Sequence, residues 1–247
     1  MKKICIVGMG NMGKAMMDIL SERGGFELSG CEKSDDMNKK LEQAEVVIIA
    51  VKPQVFGELA KSITVDMRGK VVISIMAGIG IEKIKAALKT DKVIRTLPNL
   101  ALKVGQSLTI WKTTEEIADD EKALAKEILM SFGKEMEVDD ESKISSIGVV
   151  SGCGPGFIAY FGEQMAGFLM KQGLSEEEAE KVTRQTLIGT GEVVKRNNWN
   201  LTDMRKKVSS KGGLTEAGVN AMEAEGLGKV FEKGGDAALK RNEELNK

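Results

Sequence analysis

Gly8-Met9-Gly10-Asn11-Met12-Gly13 sets three glycines at the spacing G-x-G-x-x-G. An apolar, β-branched run (residues 3–7) precedes them and an amphipathic helical pattern (near 12–23) follows. In that context the spacing predicts a turn that cradles a dinucleotide. Gly8 permits the tight turn, Gly10 lets a pyrophosphate approach the backbone, and Gly13 lets the helix pack closely on the strand. The helix start then offers unpaired N–H groups to phosphate, with Met9, Asn11 and Met12 in the same turn. Glu32 ends the next strand-like run, where a carboxylate can bind a ribose 2′-hydroxyl. Lys33 beside it suits a 2′-phosphate, so the pair leaves NAD and NADP both open.

Three later segments also end strand-like runs: Ala50-Val51-Lys52-Pro53, Ser74 to Gly78, and Leu97-Pro98-Asn99. Ligands of open α/β sheets lie beyond the carboxyl ends of the strands, so these loops are expected on one rim. Two glycine-rich segments come later. Ser151-Gly152-Cys153-Gly154-Pro155-Gly156 opens a helix and is either a ligand contact or a flexible junction. Ser209-Ser210-Lys211-Gly212-Gly213-Leu214-Thr215 opens another. Its N–H groups and hydroxyl suit a carboxylate, although Thr215 reads as well as a plain N-cap.

The elements that must position these residues alternate. Strands are expected at 3–7, 26–31, 46–51, 71–76, 93–97, 107–111 and near 135–138. Helices are expected near 12–23, 35–44, from Pro53 to about 62, 81–89 and 115–132. Such alternation predicts a parallel sheet wound on both faces. Beyond about residue 140 strand-like runs become scarce, and helices are expected at 156–172, 175–197, 201–209, 215–225 and 227–245. Ser175 with Glu178 makes a capping box, and Thr202 before Asp203 is a plausible helix start. The fold expected is an α/β Rossmann-type domain, 1–142, followed by an all-α domain, 143–247. The wide apolar faces of the latter suit burial against a second copy.

The chain has 247 residues, 42% apolar and 30% charged, as ordinary globular proteins do. A net charge of −1 gives no field favouring nucleic acid or an anionic membrane. There is no histidine, which removes Ser-His-Asp, Cys-His and histidine-metal chemistry. Proton donors must be hydroxyls, lysines, carboxyl groups or water. Cys5, Cys31 and Cys153 have no metal-ligand spacing and suit a reducing compartment, the first two as small core residues. No metal site is expected, no signal peptide is visible, and no apolar run approaches a bilayer-spanning length of roughly 20 residues. A cytoplasmic location follows as the expectation.

Along nearly its full length the chain resembles the pyrroline-5-carboxylate reductase family. The likeness rests on the Gly8–Gly13 turn, Ala50-Val51-Lys52-Pro53, Ala77-Gly78, Pro98-Asn99, Ser151-Gly152-Cys153-Gly154-Pro155 and, above all, Val208 to Thr215. That last segment is similar to the family signature Ser-Pro-Gly-Gly-x-Thr, and Arg241 to Leu245 resembles the end of the family's last common helix. The resemblance implies hydride transfer from NADPH, or NADH, to the C=N carbon of 1-pyrroline-5-carboxylate, forming proline, in a homodimer or a ring of dimers. It implies that Thr215 hydrogen-bonds the ring nitrogen and helps deliver its proton. By the same resemblance Gly213, Leu214 and Thr215 would bind the substrate carboxylate and Glu141 would stand near the substrate, while Asn11, Met12, Val51, Lys52, Pro53, Ala77, Gly78 and Lys207 would line the cofactor. The chain departs from the family at Lys211 (for proline), Leu214 (for threonine or alanine), Leu100-Ala101, Cys153, Lys207 and Trp199-Asn200, and in the short stretch between Glu32 and Val46. Two other readings are a reductase of a different cyclic imino acid or carbonyl, and a non-catalytic nucleotide-binding relative.

Overall fold

The computed structural model describes residues 1–32, 36–197 and 199–246. They divide into two compact units, one of Met1–Pro155 with the stretch from Ala237 onward, the other Gly156–Asp236.

The first unit is built on one seven-stranded sheet. Its strands are β1 (Lys2–Val7), β2 (Phe26–Cys31), β3 (Val46–Ile49), β4 (Val71–Ser74), β5 (Val93–Leu97), β6 (Ser107–Thr113) and β7 (Gly133–Glu137). Their spatial order is β2-β1-β3-β4-β5-β6-β7. The helices between them are α1 (Asn11–Arg23), α2 (Met37–Gln43), α3 (Phe56–Ser62), α4 (Ile81–Leu88) and α5 (Asp119–Met130). Strands β3 and β4 are buried at every position, the pattern of a parallel sheet covered on both faces. One face packs Ile4, Ile6, Ile48, Ile73 and Ile94 with Met16 and Leu20 of α1. The other packs Cys5, Val7, Val47, Ile49 and Val72 with Phe56, Ile84 and Leu88.

The sheet is parallel as expected except at one junction, where β6 runs antiparallel to β5. The chain joins them through a single 3-10 segment, Leu100–Val104. A parallel neighbour would require a crossover of roughly a dozen residues or more. Trp111, 1% exposed, anchors β6, and its indole N–H donates to Glu135 Oε2 on β7 at 2.6 Å. Other boundaries are shorter than expected. Strands β3 and β4 stop at Ile49 and Ser74, releasing the following residues to the rim. Pro53 opens a 3-10 turn, Pro53–Val55, before α3 begins.

A further helix, α6 (Ser142–Ser151), was not anticipated. Apart from Lys143, its run Ser-Lys-Ile-Ser-Ser-Ile-Gly-Val-Val-Ser holds no strong helix former. Packing supplies what propensity does not, because Ile144 is fully buried against Ile110 and Val138. Gly148 allows the approach, since a Cβ there would collide with Leu97.

The second unit is helical: α7 (Gly154–Lys171), α8 (Glu176–Arg196), α9 (Leu201–Val208), α10 (Leu214–Ala224) and α11 (Leu227–Asn246), with α7 beginning and α11 ending in the first unit. Ser175 and Glu178 form the expected capping box. Helix α9 is capped by Asn200, whose Oδ1 accepts the Asp203 N–H at 2.8 Å, rather than by Thr202. Phe157 and Phe231 meet edge to face at 5.9 Å. Few side chains here are buried; Gly162, Ala179 and Thr183 are the buried residues of α7 and α8. Contrary to the sequence expectation, the stretch Ser142–Lys171 is long and apolar enough to cross a membrane by length and composition (mean hydropathy 1.4), and 17% of that apolar window is buried.

Cys5 and Cys31 are buried, as expected of core residues, and Cys153 is exposed. Far apart in sequence, the buried pair meets across β1 and β2 with sulfurs 3.2 Å apart. The Cys31 thiol, hydrogen-bonded to Cys5, holds the Cys5 thiol down to about 7. Burial rather than acidity therefore limits its reactivity. Titrating the native protein with an aromatic disulfide is expected to leave Cys5 and Cys31 unreacted until the protein unfolds. Three fast thiols would contradict this packing.

Candidate functional site

The strand order places β1 between β2 and β3, so the connection leaving β1 runs to one side, to β2, and the one leaving β3 to the other, to β4. That switch point is where a doubly wound sheet opens a crevice. A cleft of ≈ 680 Å³ lies there, lined by Gly8, Met9 and Gly10 after β1, by Cys31 and Glu32 at the end of β2, and by Ala50, Val51 and Lys52 after β3. Asp36, Asn38, Glu58 and Ser62 close its far side. Asp36 caps α2 by accepting the Lys39 N–H, and Asn38 bridges to Ser62 and Thr64. Sequence reasoning did not single out Asp36 or Asn38. Their polar type in the α2 segment was the available signal.

The three glycines of the first turn have separate physical jobs. Gly8 has φ +101, and a Cβ there would lie 2.7 Å from Ala50 O and from Val51 Cγ1. Gly13 is buried, and a Cβ on it would strike the Gly8 carbonyl oxygen. Gly10 is the N-cap of α1, has no side-chain cap, and its Cβ would meet nothing of the chain within 4 Å. Two glycines thus serve the chain's own packing. The third keeps the helix start open toward the cleft, the geometry that an anionic pyrophosphate needs. Met9 lies across Gly30 of β2, and Asn11 is exposed in the first turn beside Met12.

Glu32, Val51 and Lys52 face this cleft, and Pro53 starts the adjoining turn. Lys33 lies outside the described residues. Ala77 is exposed on the turn after β4, while Gly78 is buried with φ +75. A Cβ on Gly78 would lie 2.6 Å from Leu245 Cβ and 3.2 Å from Asn242 O of α11. Its close approach is therefore to α11, which Asn242 also ties to Ser145 of α6 at 2.9 Å.

Glu141 immediately precedes α6. Its Oε1 accepts the Arg95 guanidinium at 2.6 Å and the Ile81 N–H, the first of α4, at 2.9 Å. Arg95 was missed by sequence reasoning. The signal was one arginine inside the apolar strand Val93-Ile94-Arg95-Thr96-Leu97. Asn99 also has a defined place: its side chain accepts the Ala101 N–H and donates to Ser151 O at 2.6 Å. This joins the Pro98-Asn99 turn to the Ser151–Gly156 segment.

In the second unit, Gly213 is the N-cap of α10, so Leu214 and Thr215 lie within its first turn and Thr215 is not the cap. The Gly213 N–H is turned inward to Ser210 O, and the Gly212 N–H donates to Glu216 Oε2 at 2.7 Å. Leu214 is 95% exposed. Lys207, on α9, sets its ammonium 4.7 Å from the centre of the Trp199 ring. Among the described residues no cluster of three metal-ligating side chains occurs.

Comparison with known proteins fits this picture. Residues 141–245 match the family model described as pyrroline-5-carboxylate reductase dimerisation. Residues 30–78 match one described as NADP oxidoreductase, coenzyme F420-dependent. A pyrroline-5-carboxylate reductase of Synechocystis sp. is 32% identical over 87% of this chain and 80% of its own length. One from Vibrio alginolyticus is 28% identical over the whole chain and 98% of its own length. Among solved structures, the pyrroline-5-carboxylate reductase of Coxiella burnetii superposes with a TM-score of 0.84 at 26% identity, over 99% of this chain and 98% of that one. The enzyme of Plasmodium falciparum, solved with NADP bound, gives 0.87 at 22% identity, over 100% and 98%. This chain belongs to the pyrroline-5-carboxylate reductase family.

Proposed function

We propose that the chain is the NAD(P)H-dependent reductase of 1-pyrroline-5-carboxylate, forming proline. The observation that carries the reading is the cleft at the β1/β3 switch point, in a chain that is 32% identical to a named pyrroline-5-carboxylate reductase over 87% of its length. The residues present fit a dinucleotide. Gly10 leaves the uncapped α1 start open, and Glu32 and Lys52 supply polar groups along the cleft.

A bound nicotinamide supplies the hydride. The chain's own residues position, exclude water and handle one proton. Gly8 to Gly13 hold the pyrophosphate. Glu32, Val51, Lys52, Pro53, Ala77, Gly78 and Lys207 line the remainder, together with Lys33. A protonated imine is already electrophilic, so holding two ligands in register is most of the work. The start of α10 takes the substrate carboxylate on the N–H groups of Leu214 and Thr215, with Gly213, whose own N–H is held by Ser210 O, giving the ligand room to approach. Thr215 hydrogen-bonds the ring nitrogen and relays to it a proton drawn from water, so that its own hydroxyl is restored, with Glu141 on the substrate side. The functional boundary between cofactor and substrate domains lies near residue 142. The exposed apolar faces of the second unit are covered by a second copy, in a homodimer or a ring of dimers. This is also how we read the apolar Ser142–Lys171 stretch, in a cytoplasmic enzyme that binds neither membrane nor nucleic acid.

The test is oxidation of NADPH and of NADH at about 340 nm, the wavelength where reduced nicotinamide absorbs, with 1-pyrroline-5-carboxylate and with proline measured. Stoichiometric proline is the expected result, and the two rates give the cofactor. Faster turnover on the six-membered imine would reassign the substrate, and cofactor binding without turnover would remove the activity. Thr215→Ala is expected to lower kcat by roughly 100-fold, the low end for removing a proton-transfer group, with NADPH affinity unchanged. Unchanged kcat would remove the role given to Thr215.

A further inference from the structure

Arg95 is 6% exposed, on a strand whose other side chains are apolar or hydroxyl-bearing. Among the described residues Glu141 is the only side chain paired with it, and its Nε is buried without a partner. A guanidinium taken this far out of water is costly, and one carboxylate balances it. That carboxylate oxygen is shared. It also accepts the first N–H of α4, whose N-cap, Gly80, has no side chain to offer. Strand β5, the start of α4 and the residue leading into α6 therefore meet at one atom, Glu141 Oε1. The Ala77–Gly80 turn runs directly into that helix start. Short charge-assisted bonds from a planar donor fix a carboxylate's direction as well as its place.

We propose that Arg95 is a positioning residue of the reductase: by holding Glu141 on the first N–H of α4, it fixes the Ala77–Gly80 turn against the cofactor. The proposal rests on the reading of Ala77 and Gly78 as cofactor-lining. Displacements of about 1 Å remote from the chemistry can cost about 100-fold in rate. An arginine that touches neither ligand can thus control turnover.

The experiment uses the full-length enzyme and four variants: Arg95→Met, Arg95→Lys, Glu141→Gln and the Met/Gln double. The expected result for Arg95→Met is a kcat lower by about tenfold or more, with KM for 1-pyrroline-5-carboxylate within about twofold. The primary isotope effect with deuterated NADPH should rise, because hydride transfer becomes limiting. Amide exchange over residues 77–84 should quicken while exchange in β1 and α1 stays as it was. Arg95→Lys should recover part of the rate, and the double variant should lose no more than the worse single one. If Arg95→Met is poorly folded, Arg95→Lys carries the same readings at smaller amplitude. Wild-type kcat, isotope effect and exchange in the Arg95 variants would overturn the proposal, as would fully additive losses. Ala77→Val separates it from the reading beneath. Unchanged NADPH affinity in that variant overturns both. Weakened affinity there with unaffected Arg95 variants overturns the positioning role alone.

Discussion

Gly10→Ala is expected to leave thermal unfolding within about 1 kcal/mol of the wild type and to weaken NADPH by roughly 100-fold. The asymmetry comes from where the added methyl group goes. At Gly10 it meets nothing of the chain within 4 Å, so the folded protein has no reason to object. It projects from the uncapped start of α1, where the proposed pyrophosphate site needs a close approach to the backbone. Gly13→Ala provides the contrast. There the methyl group strikes the Gly8 carbonyl oxygen, so α1 must lift from β1. Overpacking of this kind costs about 1–3 kcal/mol, and Gly13→Ala is expected to lose stability and cofactor together. Fluorescence titration with NADPH and thermal melts read both quantities. Full affinity in Gly10→Ala would show that the turn holds no dinucleotide.

Ile158→Asp with Phe168→Asp is expected to reduce the protein to single chains and to abolish proline formation. Ile158 and Phe168, on α7, are 59% and 61% exposed. Ile188 and Val193 on α8, and Val230 and Phe231 on α11, are similarly open. α9 and α10 have no buried residue. A helical unit with so little of its apolar surface covered needs a partner to make a core. Burying a side chain of this size is worth about 1.5–3 kcal/mol. Two lost from each of two copies forfeit roughly 6–12 kcal/mol, comparable to the ~8 kcal/mol that holds a micromolar complex. Light scattering on a sizing column reads the mass, and the proline assay reads the consequence. An assembly of unchanged mass would place the interface on another face.

The features legible in the sequence were those set by local physics. The glycine turn is recognisable because steric exclusion at Gly8 and Gly13 tolerates no other residue, and the fully buried strands β3 and β4 show as unbroken apolar runs. Ser175 and Glu178 announce α8 through two reciprocal hydrogen bonds that span only three residues. What escaped depends on contacts distant in sequence. Helix α6 is held by Ile110 and Val138 rather than by propensity. The reversed direction of β6 follows from a connection too short to cross the sheet. Arg95 draws its meaning from Glu141, 46 residues away, and Gly78 from Leu245. The glycine-rich Ser151–Gly156 segment read as a ligand contact or a junction. The structure shows its first residue clamped by Asn99.

The return of α11 to the first unit bears on how the protein is made. Residues from Ala237 onward belong with Met1–Pro155, so the helical unit is an excursion between two parts of one body. On the ribosome the sheet emerges long before Asn242 and Leu245, the residues that seat on Ser145 and Gly78. In vectorial synthesis Gly78 and Ser145 therefore appear well before the α11 residues that pack on them.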